Sequence, residues 1–532
     1  MQSNQVIPAW AGALAGIVAG GVALGVAQLA AGVVGDDAFP VVAVGDAVVD
    51  LSPAPLKEFA IATFGENDKA VLVGGVFVVL ALVAAGLGVL ATRRLRYGQA
   101  GLAGFAVVGL AAVLTRPGAQ LIDALPTVVG VAVGVWALSW LIGRAASPAV
   151  APAAFPAVAP AGETPLPAVM RAGGEPYVFD RRRLLTGAAG GVVVAGAGTL
   201  LGRGLGSRRT VDAARVSLAL PAPATPAPPL PPGTDFKLNG LTPFITKNAD
   251  FYRVDTALIV TQVDPDTWTL RIHGLVDRPI EITYQELLKR PLTEADITLT
   301  CVSNEVGGPY AGNARWLGAR MADLLREAGL RSDADMLLST SADGFTCGTP
   351  LDVVMGGRDA LFAVAMNGEA LPVDHGFPVR QVVPGLYGYV SATKWVVDLK
   401  VTRFDTDEAY WTPRGWAAKG PIKTQSRIDL PKPGATVTAG RTTIAGVAWA
   451  QHTGVDAVEV RVDRGAWQQA RLAAVPGPDT WRQWALDWDA TPGDHTIEVR
   501  ATDASGRTQT GERRPITPDG ATGWHTVTVQ AA

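Results

Sequence analysis

Along the first 202 residues the apolar positions run together in long blocks, and after about residue 235 they break into short alternating runs. A helix needs about 20 residues to cross the apolar core of a bilayer. Five blocks reach or approach that length: Ala9–Val34, Ala70–Ala91, Gly98–Leu114, Ala124–Gly143 and Leu184–Leu201. The pattern predicts an all-α transmembrane bundle, with four helices in residues 1–144 and a fifth in 184–202. From about Gly434 onward, RTTIAGVAWA, AVEVRVDRGAW, WRQWALDW, HTIEVRATD and WHTVTVQ alternate and are punctuated by turns. They predict an immunoglobulin-like β-sandwich over 425–532. Residues 235–424 mix short strands with helical stretches such as Ala319 to Ala328, which predicts an α+β domain.

Two Ala/Pro-rich stretches punctuate this order. Ser147 to Pro176 dominates a linker over 145–183 that ends in an arginine cluster, and Leu220 to Thr234 closes a second linker over 203–234. Arginines in the short loops set the expected orientation. Arg93, Arg94 and Arg96 separate the second and third spans, and Arg144, Arg171 and Arg181 to Arg183 separate the fourth and fifth. The loop from Asp36 to Lys69 instead carries seven acidic residues against two lysines. Both basic loops are cytoplasmic if the N-terminus is inside, and five spans then place everything after about Gly206 outside the cytoplasm. Arg203, Arg208 and Arg209 run against this rule. The stretch DRRRLLTGAAGG, 180–191, reads either as a twin-arginine export signal, a route for folded cofactor-bearing proteins, or as three arginines anchoring a helix.

Composition removes several functions. The net charge of −3 and the lack of a long basic run exclude nucleic acid as an expected partner. Two cysteines, Cys301 and Cys347, are too few for a disulfide scaffold or a cysteine-rich metal site. Residues 1–272 contain no histidine, so no haem is expected in the membrane half, whose expected role is anchoring or docking in the lipid bilayer.

The most informative stretch is DITLTCVSNEVGG, Asp296 to Gly308, where an apolar alternating strand ends at Cys301 and passes into a polar, glycine-turned loop. A lone cysteine after a strand is commonly a small buried residue or a disulfide partner. Its surroundings give it another meaning. Cys301 with Asn304 three residues on, NARWLGARMADLL with Arg315 and Trp316, and MNGEALPVDHGFPVRQVVPGLYG followed by Lys394-Trp395 form one long spaced pattern. WTLRIHGLVDRP and the C-terminal strand segments extend it. From Asp235 to the end the chain resembles the sulfite oxidase family of molybdopterin enzymes.

That resemblance implies a molybdopterin-held molybdenum with Cys301 as its protein ligand and catalytic residue. A thiolate is a soft ligand suited to such a metal. It also implies that Asn304, Arg315, His375, Arg380 and Lys394 bind the cofactor, the cations among them facing its phosphate. GLTPFITKNADFYRVD, 240–255, resembles the family segment in which an arginine and an asparagine approach cofactor and substrate. Here Lys247 takes the catalytic place and Asn248 the cofactor-binding one. Lysine keeps the charge but loses the bidentate fork. Phe345 stands where family sulfite oxidases have a tyrosine and cannot donate a proton. Cys347 is expected to be a small buried residue.

The expected function is therefore a multi-pass protein of the cell membrane with an extracytoplasmic molybdenum oxidoreductase domain. It would transfer an oxygen atom on a small sulfur oxyanion or an S- or N-oxide. Electrons would pass to or from a separate carrier, a cytochrome or a quinone-linked protein, and a homodimer is possible. The competing expectation is a membrane-tethered binding protein on a degenerate scaffold of the same family, to which a disulfide between Cys301 and Cys347 would point.

Overall fold

All five apolar blocks are helical in the computed structural model, which describes residues 7–53, 56, 59, 63, 68–116, 119–148, 177–207 and 211–532. The chain divides into two units, Met1–Thr210 and Val211–Ala532.

The first unit contains α1 (Ala9–Val34), α2 (Pro40–Leu51), α3 (Asp68–Arg93), α4 (Leu95–Leu114), α5 (Ala124–Ala145) and α6 (Arg181–Ser207). All but α2 are long and apolar enough to cross a membrane. α1 packs against α3, α5 and α6. A Cβ on Gly16 would lie 2.0 Å from the Ala84 carbonyl oxygen, and one on Gly25 2.5 Å from that of Ala195. Only glycine allows α1 to approach both neighbours so closely. The acidic segment after α1, read from sequence as a loop, contains the helix α2, opened by Pro40 at its first position. α6 begins three residues before the predicted span, because the Asp180 carboxylate accepts the Arg183 amide at 3.0 Å and caps its first turn. Short strands β1 (Ala146–Pro148) and β2 (Tyr177–Phe179) pair antiparallel at the ends of α5 and α6. The rest of the first Ala/Pro stretch lies outside the described residues.

The second unit opens with α7 (Asp212–Ser217). The second Pro-rich stretch, expected as a linker, lies along the edge of a sheet. The amides of Ala224 and Thr225 donate to the Leu292 carbonyl at 2.8 and 3.1 Å, and the Glu294 amide donates to Thr225 at 2.8 Å. Proline lacks an amide hydrogen, but the Ala-Thr pair between prolines supplies the donors an edge needs.

Two sheets form the α+β part. The first runs β10 (Glu369–Ala370), β9 (Leu361–Met366), β6 (Ala311–Arg320), β5 (Leu292–Thr300), with β11 (Arg380–Val382) also pairing β9. The second runs β4 (Ile280–Thr283), β3 (Thr269–Gly274), β12 (Val396–Thr402), β7 (Met336–Ser341), β8 (Thr346–Pro350). Trp268, Leu270, Ile272, Leu337, Phe362 and Val364 fill the core they share with the short helices α8 (Tyr284–Leu288), α9 (Met321–Ala328) and α10 (Leu351–Met355). α9 starts two residues after the predicted helix, since Ala319 and Arg320 still belong to β6.

The C-terminal part is a two-sheet sandwich. One sheet orders β13 (Gln425–Leu430), β15 (Gly440–Trp449), β19 (Arg482–Ala490), β18 (Arg471–Leu472). The other orders β14 (Thr436–Val437), β21 (His525–Ala531), β20 (Gly493–Asp503), β16 (Val455–Val462), β17 (Gln468–Gln469). Both sheets contribute to one core, including Ile444, Val458, Val460, Trp484, Ile497 and Val527.

Candidate active site

β5 ends at Thr300, paired with Ala311 across β6, so Cys301 is the first residue of the loop joining the two strands. The loop closes on itself. The Cys301 amide donates to the Tyr310 carbonyl at 3.0 Å, the Asn304 amide to the Cys301 carbonyl at 3.1 Å, and the Tyr310 amide to Asn304 Oδ1 at 2.8 Å. Asn304 therefore shapes the arch that presents Cys301. The thiol is partly exposed and lies 2.8 Å from Ser303 Oγ. Burial pushes it up from the ordinary thiol range, against the pull of the Ser303 hydroxyl. Both cysteines are free, and Cys347 is buried on β8.

The segment HGFPVR folds a cationic cluster. Gly376, at φ +108°, carries the chain so close to its neighbours that a Cβ would lie 3.0 Å from Arg380 Cβ and 3.1 Å from Lys394 Cβ. Arg380, 5% exposed, donates from Nη1 to the His375 carbonyl at 3.1 Å and lies over the Trp316 ring at 5.0 Å. Its Nε is buried and has no hydrogen-bond partner, and no carboxylate among the described residues forms an ion pair with it. Burial lowers its pKa to about 10. Lys394 donates to Asp255 Oδ2 at 2.6 Å and to the Asp374 carbonyl at 3.0 Å. Burial, opposed by Asp255, lowers its pKa to about 8. His375 is neutral, lowered to about 4 chiefly by burial, and its Nε2–H donates to the Asn248 carbonyl at 3.1 Å.

The remaining predicted residues divide. Asn248 joins the cluster through that carbonyl, while its side chain donates to Glu369 at 2.7 Å and accepts from Asn367 at 2.8 Å. Lys247 is exposed, with no side-chain hydrogen bond or ion pair among the described residues. Arg315, expected to bind the cofactor, forms two hydrogen bonds of 2.9 and 2.8 Å to Asp296 and lies 3.9 Å from Glu294. Two acidic residues on β5 face it across the strand pair, so its charge is already matched.

Sequence reasoning missed Tyr252 and Asp255. The Tyr252 ring stacks on Phe251 at 5.2 Å and tilts against Tyr310 at 6.2 Å. Phe251 in turn meets the His375 ring edge-on at 5.5 Å. Tyr252 thus spans the space between the Cys301 arch and the cationic cluster, and feels both Cys301 and Arg380. Burial raises its phenol well above the ordinary range, so it stays a proton donor. An open cavity of about 380 Å³ adjoins the Lys394 end of the cluster, lined by Arg215, Arg253, Gln262 and Asp374 among others.

Among the described residues no three His, Cys, Asp or Glu side chains form a metal-holding group. The buried, unmatched guanidinium of Arg380 fits a group that is anionic, because an uncompensated buried charge is costly.

Residues 257–411 match the oxidoreductase molybdopterin binding domain family. Mitochondrial sulfite oxidase from Rattus norvegicus is 32% identical over 292 residues, covering 46% of this chain and 53% of that protein. Sulfite oxidase from Gallus gallus is 30% identical over 322 residues, covering 51% and 70%. The uncharacterized oxidoreductase YuiH from Bacillus subtilis (strain 168) is 32% identical over 157 residues, covering 30% and 76%. The chain spans about half the length of the mammalian relatives it matches.

Proposed function

Because this chain belongs to the sulfite oxidase family of molybdopterin-dependent oxidoreductases, we propose that Val211–Ala532 is a molybdenum enzyme tethered to the cell membrane by the helices before it. The observation that carries this reading is Arg380, buried, without a carboxylate partner and with an orphaned Nε. It marks a place prepared for an anion that the protein itself does not provide.

Cys301 would be the protein ligand to the metal, and His375, Arg380 and Lys394 would face the phosphate of the pterin. Bound molybdenum supplies oxygen-atom transfer coupled to a two-electron redox change. The protein does the rest. Lys394 and Arg380 place positive charge in a dry site where a charge-assisted contact is strong. His375 stays neutral and donates from Nε2, which fixes its tautomer. Tyr252, kept protonated by burial, would be a phenolic donor between the Cys301 arch and the cationic cluster. Lys247, exposed and unpaired among the described residues, is the cation available to an incoming oxyanion.

The substrate class we infer is a small sulfur oxyanion, or an S- or N-oxide in the reducing direction. Electrons would be exchanged with a separate cytochrome or quinone-linked carrier. The arginine distribution favours an extracytoplasmic catalytic unit, with Arg181-Arg182 as an export signal for a folded domain. We read the sandwich as immunoglobulin-like and as the pairing surface of a homodimer.

Metal analysis of the full chain in detergent tests the reading. About one molybdenum per chain is expected, lost in Cys301→Ser and retained in Cys347→Ser. Turnover assays with sulfite as donor and with S-oxides as acceptors then fix the direction. Purified chain without molybdenum after expression in a cofactor-competent host would end this reading.

A further inference from the structure

The arch that presents Cys301 is gripped at both feet by the sandwich. Before the thiol, Gln451 Nε2, buried, donates to the Thr298 carbonyl at 3.2 Å and to Thr300 Oγ1 at 2.9 Å. Thr298 also donates its amide to the Asp479 carbonyl at 2.9 Å, and its Oγ1 accepts the Trp481 amide at 2.7 Å. After the thiol, Arg427 Nη1 donates to the Gly308 carbonyl at 3.1 Å, its Nε being held by Asp429 at 2.7 Å. Beside it stands His525. The Ile428 amide donates to its Nδ1 at 2.9 Å, so the proton sits on Nε2, which faces Gly307. A Cβ on Gly307 would lie 2.2 Å from His525 Cδ2 and 2.3 Å from Nε2. Gly307 is at φ +83°, and the imidazole is its wall.

We propose that the sandwich acts as a positioning element for Cys301, through Gln451 on the strand before it and Arg427 and His525 on the loop after it. The arch from Val302 to Pro309 has no helix or strand of its own. Its internal bonds fix its shape, through Asn304, but not its placement. Placement comes from side chains of another layer whose own orientations are locked, His525 by a backbone amide and Arg427 by a carboxylate. Supports of this kind hold a ligand atom within the few tenths of an ångström that bonding to a metal requires. The role is independent of any pairing between chains, because every contact lies within one chain.

The proposal rests on Cys301 being the ligand, so its test needs a measurement that survives if that reading fails. In cofactor-free protein, the rate of Cys301 alkylation by iodoacetamide is followed by mass spectrometry, with buried Cys347 as internal reference. His525→Ala and Gln451→Leu are expected to raise the Cys301 rate about ten-fold over wild type while Cys347 stays unreactive. In molybdenum-loaded protein the same variants are expected to shift the Mo(V) electron paramagnetic resonance signal and lower kcat about ten-fold with KM within about two-fold, at the low end of outer-shell effects. Ile497→Ala weakens the sandwich core without touching the arch and should change neither readout. If His525→Ala does not fold, Arg427→Lys decides, since it keeps the charge beside Asp429 but shortens the reach to Gly308. An unchanged alkylation rate and signal in folded variants, or equal changes in Ile497→Ala, overturns the proposal. Wild type without molybdenum sinks the enzyme reading alone and leaves the alkylation result to be judged.

Discussion

The guanidinium carbon of Arg380 lies 5.0 Å from the centre of the Trp316 ring, on the face of an aromatic side chain that is itself fully buried. An indole face attracts a cation but does not neutralise it. The residual positive charge is what an anionic ligand would meet. Arg380→Met is therefore expected to leave the apoprotein as stable, or to stabilise it by up to about 3 kcal/mol, while molybdenum content falls at least ten-fold. Thermal melting of the apoprotein and elemental analysis check the two halves separately. A strongly destabilised apoprotein that still loads metal would contradict this account of Arg380.

Lys394 differs, because Asp255 already matches it. Asp255→Asn leaves a buried ammonium without its carboxylate and is expected to cost about 3–5 kcal/mol. Adding Lys394→Met should recover much of that loss in a double-mutant cycle by chemical denaturation. Simple additivity would show that the 2.6 Å pair is not coupled.

Acid should loosen the second unit in a defined window. His375 and His525 are both lowered to about 4 by burial, so in the unfolded chain they take up protons first. Stability contributed by the neutral rings is complete above about pH 6.5 and is lost as pH falls from there towards 4. For His375 the loss amounts to roughly 3 kcal/mol over a drop from 6.5 to about 4. Denaturation of the apoprotein at a series of pH values should show this slope, and His375→Gln should reduce it by about half, leaving the His525 contribution. An equal slope in the variant assigns the effect elsewhere.

Gly376→Ala tests the fold of the cluster without altering a charge. Its φ of +108° disfavours any side chain, and the new methyl would press on Arg380 and Lys394 at 3.0 and 3.1 Å. A loss of about 1–3 kcal/mol is expected, together with weaker cofactor retention. Gly357→Ala, with positive φ but nothing within 4 Å, should show the strain without the loss of cofactor.

Much of this was legible in the residues. The apolar blocks appear as helices within a few positions, and the alternating C-terminal runs appear as β15, β16, β19, β20 and β21. Cys301 at the end of a strand, and His375, Arg380 and Lys394 near one another, follow from local pattern and from a long spaced motif. What stayed hidden depends on contacts across the chain. The pairing of Arg315 with Asp296, nineteen positions earlier, arises only when β5 and β6 lie side by side. Tyr252 and Asp255 lie in a stretch without regular secondary structure, where no period shows which way a side chain points. The Pro-rich segment reads as a tether by composition, and only the pairing of Ala224 and Thr225 with Leu292 shows it docked.

That docking bears on how the protein behaves in a crowded cell. β5 is the outermost strand of its sheet, a position that invites pairing with a stranger. Thr225 occupies one end of its free rim and Asp479 the other. Shortening the chain between residues 218 and 234 would thus uncover a ready template for self-association. Such a truncated protein is expected to precipitate before its chemistry can be measured.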